Sequence, residues 1–327
     1  MTSRPSPSVG LVLGGGGVTG AAWEMATLMA LEMATGWSPE RASVVVGTSA
    51  GAFVAALVRH SGLHLDSLVE GDEGPDEVAR RISERLFTRA RGAGLVRWVR
   101  HGLLPGVRQP GLGMLLASPA RWEAGGLARW VAEKVGPEAA SGWPATPTVI
   151  TAFDVQDRRR VAFGTEGAPR VGLADAVAAS SAIPVVFQPY RIDGRYYVDG
   201  GVMSGTHADL VLGSPEPLDL VVVLAPMAME EERPGAWPHE RLLDRVGAQA
   251  LSEELQLIAS RWPDTDVVVL RPSPHALSAM RPNPMDSRAA VPTFMRTLVG
   301  MRKTLARTEI WEVLAKHLVS DASRIRP

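Results

Sequence analysis

The sequence predicts an α/β protein built on a mostly parallel central sheet, and three observations carry that expectation. Short, continuously apolar runs at residues 9–13, 43–46, 148–153, 219–224 and 266–270 have the length and β-branched content of interior strands. Segments with helical spacing of apolar residues follow the first two of them. Glycine clusters mark the two junctions, as expected where a layered sheet turns from strand into helix.

The first run, Val9 to Leu13, leads into Gly14-Gly15-Gly16-Gly17-Val18-Thr19-Gly20 and then a predicted helix over residues 21–34. Trp23, Met25, Leu28, Met29, Leu31 and Met33 make that helix apolar on most sides, which implies burial between layers. The second run leads through Gly47-Thr48-Ser49-Ala50-Gly51 into a helix carrying Phe53, Ala56 and Leu57. Small residues at Ala50, Gly51 and Ala52 let its first turn approach neighbouring backbone.

A different kind of sequence follows. Seven acidic residues lie between Asp66 and Glu84, whereas from Arg85 to Trp122 there are seven arginines and no acid, interleaved with Trp98, Leu103, Leu112 and Met114. Repeated Gly and Pro make this an insertion or cap over the sheet. It has two readings: a surface that meets anionic lipid, or a packed cap whose arginines pair with the preceding acids. Local neutralisation favours the second. Proline-rich irregular chain is expected over residues 227–237 and 271–292, and a helix or helix pair over 292–318.

Composition bounds the function. Of 327 residues 46% are hydrophobic and 21% charged, as in a soluble globular chain with one large or two ordinary domains. A formal net charge of −1 gives no overall field for nucleic acid or an anionic membrane. No cysteine is present, which excludes thiolate catalysis, disulfides and cysteine metal sites. The first eight residues do not resemble a secretory leader, and no run reaches the roughly 18 apolar residues of a membrane span, so a cytoplasmic protein, at most peripheral to a membrane, is expected.

The chemistry-bearing feature is Ser49, set between Gly47 and Gly51 at a strand-to-helix junction. In G-x-S-x-G the glycines permit a sharp turn that exposes a nucleophile, and the helix terminus favours negative charge there. The alternative is a tight turn with a buried serine. The glycine run fits G-x-G-x-x-G as Gly15, Gly17 and Gly20, and it reads either as a dinucleotide loop or as an oxyanion hole. A dinucleotide site wants an acid at the end of the second strand, where this chain has Ser49, so the oxyanion reading is favoured. Asp199-Gly200-Gly201 ends another strand-like segment; alone it could be an ordinary turn. Asp154 and Asp157 read as a turn between strands.

These three elements, in this order, resemble the patatin-like phospholipase family, as does a fourth stretch from Asp175 to Pro184 leading to Phe187 and Pro189. The likeness covers residues 9–212, with the Arg85 to Trp122 region unmatched. The resemblance implies a three-layer α/β/α fold: a catalytic domain over 9–212 with a cap at about 66–122, and an extension over 213–327 that completes the sheet and adds helices. It implies a serine acyl hydrolase with Ser49 as nucleophile and Asp199 as base, forming an acyl-enzyme from a lipid ester without metal or cofactor. Gly15, Gly16, Gly17 and Ala50 would form the oxyanion hole, with Gly20, Gly47, Gly51, Gly200 and Gly201 as motif glycines. One departure is Thr19, where the family commonly has Arg or Lys; this weighs against an anionic head group and toward neutral esters. Two other readings are open: a silent lipid- or acyl-binding protein, and a Ser-His-Asp esterase using His207, His239, His275 or His317.

Overall fold

A computed structural model of the chain describes residues 7–60, 62, 74–90, 99, 119–228 and 238–319, the last segment with side chains from residue 247 onward. The chain opens with β1 (Val9–Leu13), which turns into α1 (Gly17–Thr35), and β2 (Val44–Thr48), which turns through Ser49 into α2 (Ala50–His60). After α3 (Pro75–Leu86) come the short strands β3 (Thr88–Arg89) and β4 (Trp122–Glu123), then α4 (Gly125–Val135) and α5 (Pro137–Ser141). β5 (Thr148–Asp154) and β6 (Arg159–Phe163) form a hairpin, followed by α6 (Leu173–Ser180), β7 (Phe187–Gln188), β8 (Tyr190–Ile192) and β9 (Arg195–Asp199). The remainder supplies β10 (Leu220–Leu224), α7 (Pro238–Arg261), β11 (Asp266–Leu270), α8 (Pro274–Met280), α9 (Ala290–Leu305) and α10 (Thr308–Leu318).

The main sheet runs β11-β10-β1-β2-β5-β9-β8, with β6 on the other edge of β5. From β11 to β5 every neighbour is parallel, while β9 and β8 are antiparallel additions. Strand order reverses beside β1: the chain moves to β2 on one side and later returns to β10 on the other. Crevices beyond the carboxyl ends of strands at such a reversal are where α/β sheets bind ligands.

Two buried layers flank the sheet. One contains Leu11, Leu13, Trp23, Met25, Leu28, Phe53, Leu57 and Phe163, under α1, α2, α4 and α6. The other contains Val12, Val46, Val221 and Val223 with Leu251 and Ile258 of α7. The architecture is therefore the three-layer α/β/α arrangement.

Three expectations need correction. α1 starts at Gly17 rather than near residue 21, because the glycines close the first helical turn themselves, with the Gly20 N–H donating to the Gly16 carbonyl at 2.8 Å. The proline-rich 271–292 stretch contains α8, where Pro274 takes the first helical position and the Ser273 hydroxyl caps the Ala276 N–H. Residues 292–318 form two helices, and α9 begins two residues earlier, at Ala290. Residues 229–237 lie outside the described residues.

Candidate active site

Ser49 sits between β2 and α2 in the left-handed region, at φ 54°, where a non-glycine residue bears roughly 1–3 kcal/mol of strain. The surrounding glycines make that geometry possible. A Cβ on Gly47 would lie 2.7 Å from the Gly51 carbonyl oxygen, and one on Gly51 would overlap the carbonyl of Leu13 at the end of β1. The Gly51 N–H also donates to the Gly14 carbonyl at 3.1 Å, tying the elbow to the glycine loop. Two serines of the fourth motif hold the Ser49 backbone: its N–H donates to Ser180 Oγ at 2.8 Å, and Ser181 Oγ donates to its carbonyl at 3.1 Å. That role of Ser180 and Ser181 was not read from the sequence, although the motif containing them was.

Asp199 arrives from the opposite direction. Residues 148–151 of β5 pair with parallel β2, and residues 152–154 pair with antiparallel β9 on that same edge, because β6 occupies the other. Thr48 is therefore opposite Thr151 and Asp199 opposite Ala152, so the last residues of two strands meet end to end. Thr48 and Thr151 share a buried hydroxyl hydrogen bond of 2.8 Å beneath them. The Asp199 N–H donates to the Ala182 carbonyl at 3.1 Å. Its carboxylate accepts the Gly201 N–H at 2.7 Å and faces the Ser49 hydroxyl, which lowers its pKa as a hydrogen-bond donor would. Burial pushes the Asp199 carboxyl up to about 6, against the opposing pull of those two groups.

The glycine loop passes over this junction. The Gly14 N–H donates to the Leu224 carbonyl at 3.0 Å, and the Gly15 N–H donates to the Gly205 carbonyl at 2.7 Å. Gly15 is thus not free to bind an oxyanion, which corrects its expected role; its lack of a side chain instead lets the loop lie against Ser49, whose Cβ would be 3.3 Å from a Cβ there. Among the described residues the N–H groups of Gly16, Gly17 and Ala50 have no backbone acceptor. Gly20 is in the first turn of α1, near Ala50 and Pro226. Thr19 is fully buried, its N–H donating to the Pro284 carbonyl at 3.0 Å.

A narrow cavity of about 70 Å³ opens beside Ser49 and Ala50, walled by Met25, Phe53, Ile82, Leu86, Leu127, Trp130 and Phe187. Apart from Ser49 and Ser181 its lining side chains are apolar, and the Phe53 and Trp130 rings pack at 4.7 Å. Ile82 and Leu86 belong to α3, so the helical part of the expected cap forms one wall of the cavity. Of the arginine-rich stretch, Arg85 pairs with Glu133 at 2.9 Å and Arg121 lies over the Trp122 ring at 4.8 Å. Residues 63–73 and 100–118, which carry much of the proposed acid-arginine pairing and lipid contact, lie outside the described residues.

Among the described residues no histidine is hydrogen-bonded to Ser49. His317 bonds Asp266 at 2.6 Å, and His275 is exposed. The side chain of His239 lies outside the described residues. His207 is buried behind the Asp199 turn, with its Nε2 on the Gly200 carbonyl at 3.0 Å. His207, Asp209 and Glu254 bring ligand-type atoms together, but the Arg160 guanidinium already forks onto both Asp209 oxygens at 2.8 Å. Asp154 and Asp157 form the β5–β6 turn, where Asp154 pairs with Arg195 at 2.7 Å.

No curated protein matches the sequence of this chain. Among solved structures it is similar to VipD from Legionella pneumophila, at 15% identity and a TM-score of 0.38, over 99% of this chain and 73% of that one. It is also similar to the heterodimeric complex ExoU-SpcU from the type III secretion system of Pseudomonas aeruginosa, at 18% identity and a TM-score of 0.32, over 96% of this chain and 58% of that one. Residues 11–212, most of the chain, match the patatin-like phospholipase family. The chain belongs to the patatin-like phospholipase family, and with it to the lipid hydrolases.

Proposed function

We propose that the chain is a serine acyl hydrolase in which Ser49 attacks the acyl carbonyl of a lipid ester and Asp199 accepts the hydroxyl proton. The observation that carries this reading is the buried Asp199 carboxylate facing Ser49, which itself lines an apolar cavity whose walls are those an acyl chain would meet. An ordinary carboxylate is too weak a base for this task; burial makes Asp199 more basic, closer to neutrality where proton transfer is efficient. The N–H groups of Gly16, Gly17 and Ala50 would receive the oxyanion of the tetrahedral intermediate. Collapse of that intermediate expels the alcohol, protonated by Asp199, and leaves the acyl group on Ser49. Water, deprotonated by the same carboxylate, then releases the fatty acid. The apolar lining and Thr19 favour a neutral acyl ester over recognition of an anionic head group at the loop.

The test is hydrolysis of a lipid panel and a short-chain aryl ester. Ser49→Ala and Asp199→Asn should each lower kcat by about 10³-fold or more, as loss of a member of a catalytic unit does. A fluorophosphonate should add once, at Ser49. Turnover at the wild-type rate in either folded variant rejects the dyad, and an unlabelled, inactive wild type favours a binding protein.

A further inference from the structure

The Asp199 carboxylate is aimed by a single peptide plane. The N–H end of the Gly200–Gly201 peptide donates to Asp199 Oδ1 at 2.7 Å, while its carbonyl end lies 3.0 Å from His207 Nε2. Because a peptide is planar, whatever holds one end orients the other. The tautomer of His207 follows from its second partner: Arg160 Nη1, 3.2 Å from Nδ1, can only donate. Nδ1 is therefore the acceptor and Nε2 carries the proton given to the Gly200 carbonyl.

Arg160, on β6, is itself fixed by its fork onto Asp209. From the other side Glu254 of α7 accepts the Thr206 hydroxyl at 2.6 Å and the Ala208 N–H at 2.8 Å, gripping the backbone on both sides of His207. His207 stands at φ 53° and is 1% exposed, a conformation the loop must be made to keep.

We propose that His207 is a positioning residue of this hydrolase: held by Arg160 as the Nε2–H tautomer, it clamps the Gly200 carbonyl and so keeps the Gly201 N–H on the Asp199 carboxylate. The proposal rests on the Ser49–Asp199 reading above. It predicts that releasing the peptide plane removes a hydrogen bond from the ionised base, so Asp199 is protonated at higher pH.

His207→Leu should lower kcat on a short-chain aryl ester by about 10- to 100-fold with KM within about twofold, and should move the acid limb of the pH–kcat profile to higher pH. His207→Gln, whose amide keeps one acceptor for Arg160 and one donor for Gly200, should recover most of both. Should His207→Leu fail to fold, Arg160→Gln leaves the imidazole in place without its tautomer lock and should move the same limb in the same direction. A wild-type limb in whichever of these two variants is folded overturns the proposal, as does loss of kcat with no shift and no recovery in the Gln variant. Ser49→Ala, run beside them, separates the two readings. If it is inactive while His207→Leu matches wild type, the clamp alone is wrong; if it retains turnover, the dyad is wrong.

Discussion

The two halves of the site are built on opposite principles. The Ser49 elbow rests chiefly on the absence of side chains, with the Ser180 and Ser181 hydroxyls bracing its backbone: Gly47 and Gly51 allow α2 to begin against β1, and no Cβ fits at Gly51. The Asp199 turn, although it too needs a glycine at Gly200 against Thr151, is held largely by side chains, with His207, Arg160, Asp209, Thr206 and Glu254 in one partly buried network. Glycine packing is all-or-none, since overlapping backbone has nowhere to go. A polar network is graded, because each hydrogen bond contributes about 1 kcal/mol net and its loss can be partly absorbed. On the proposed mechanism the nucleophile is thus fixed rigidly, while the aim and basicity of the base can be adjusted.

The hardest way to break that contrast is Gly51→Ala. The added methyl would overlap the Leu13 carbonyl, and we expect a loss of about 3 kcal/mol or more in urea unfolding together with near-complete loss of turnover. A stable, active Gly51→Ala enzyme would show that the elbow is as adjustable as the base. Next comes the pH profile of the wild type. As the proposed base Asp199 would work in its ionised form, and it is pushed up to about 6, so kcat/KM should be level above pH 7 and fall tenfold per unit below about 6. Full activity held down to pH 4.5 would mean an unperturbed carboxylate, hence no burial of the base.

The smallest effect concerns a second buried carboxyl. Glu24, on α1, is fully buried, and burial holds it well above the usual carboxylate range, against a weaker opposing pull from the Gly14 N–H. Its proton is retained in the folded state and lost in the unfolded one as pH rises above about 4.3, the ordinary glutamate value. Its contribution is present in full below that value and is lost as pH climbs toward the folded value. Glu24→Gln should therefore stabilise the protein by about 1 kcal/mol or more at pH 8 and have little effect at pH 4, with turnover unchanged. An equal change at both pH values would show that Glu24 does not titrate in this way. Asp199 and Glu24 differ in one respect that matters: the Gly201 N–H donates to the first at 2.7 Å, whereas no hydrogen bond of normal geometry reaches either oxygen of the second.

Strand runs were legible because interior parallel strands are continuously apolar, and β1 and β11 match their expected bounds. The amphiphilic pieces were harder to read. α7, with Glu253, Glu254 and Arg261 among its residues, carries no dominant apolar stripe and was not anticipated. The mixed hairpin strand β6 was implied only by the turn expected at Asp154 and Asp157 and had no bounds of its own: Arg159 and Arg160 do not look like sheet, yet Arg160 reaches Asp209 from it. Ser180 and Ser181 were visible as part of a motif, but nothing in their spacing said that their hydroxyls hold the Ser49 backbone.

The sequence by itself determined the parts whose causes are local. A glycine on either side of Ser49, an apolar run before it and small residues after it are enough to specify a strained strand-to-helix turn. Two glycines after Asp199 specify a tight strand end. Only the tertiary structure decided that these two ends meet. That depends on β5 pairing with β2 up to Thr151 and with β9 from Ala152 onward along one edge, with β6 on the other. Such pairing is a property of register between segments far apart in the chain, and so is the network that brings Glu254 to a turn near residue 200. Hydrogen bonds between distant segments leave no periodic mark on the residues that make them, which is why the site's parts could be read in advance and its assembly could not.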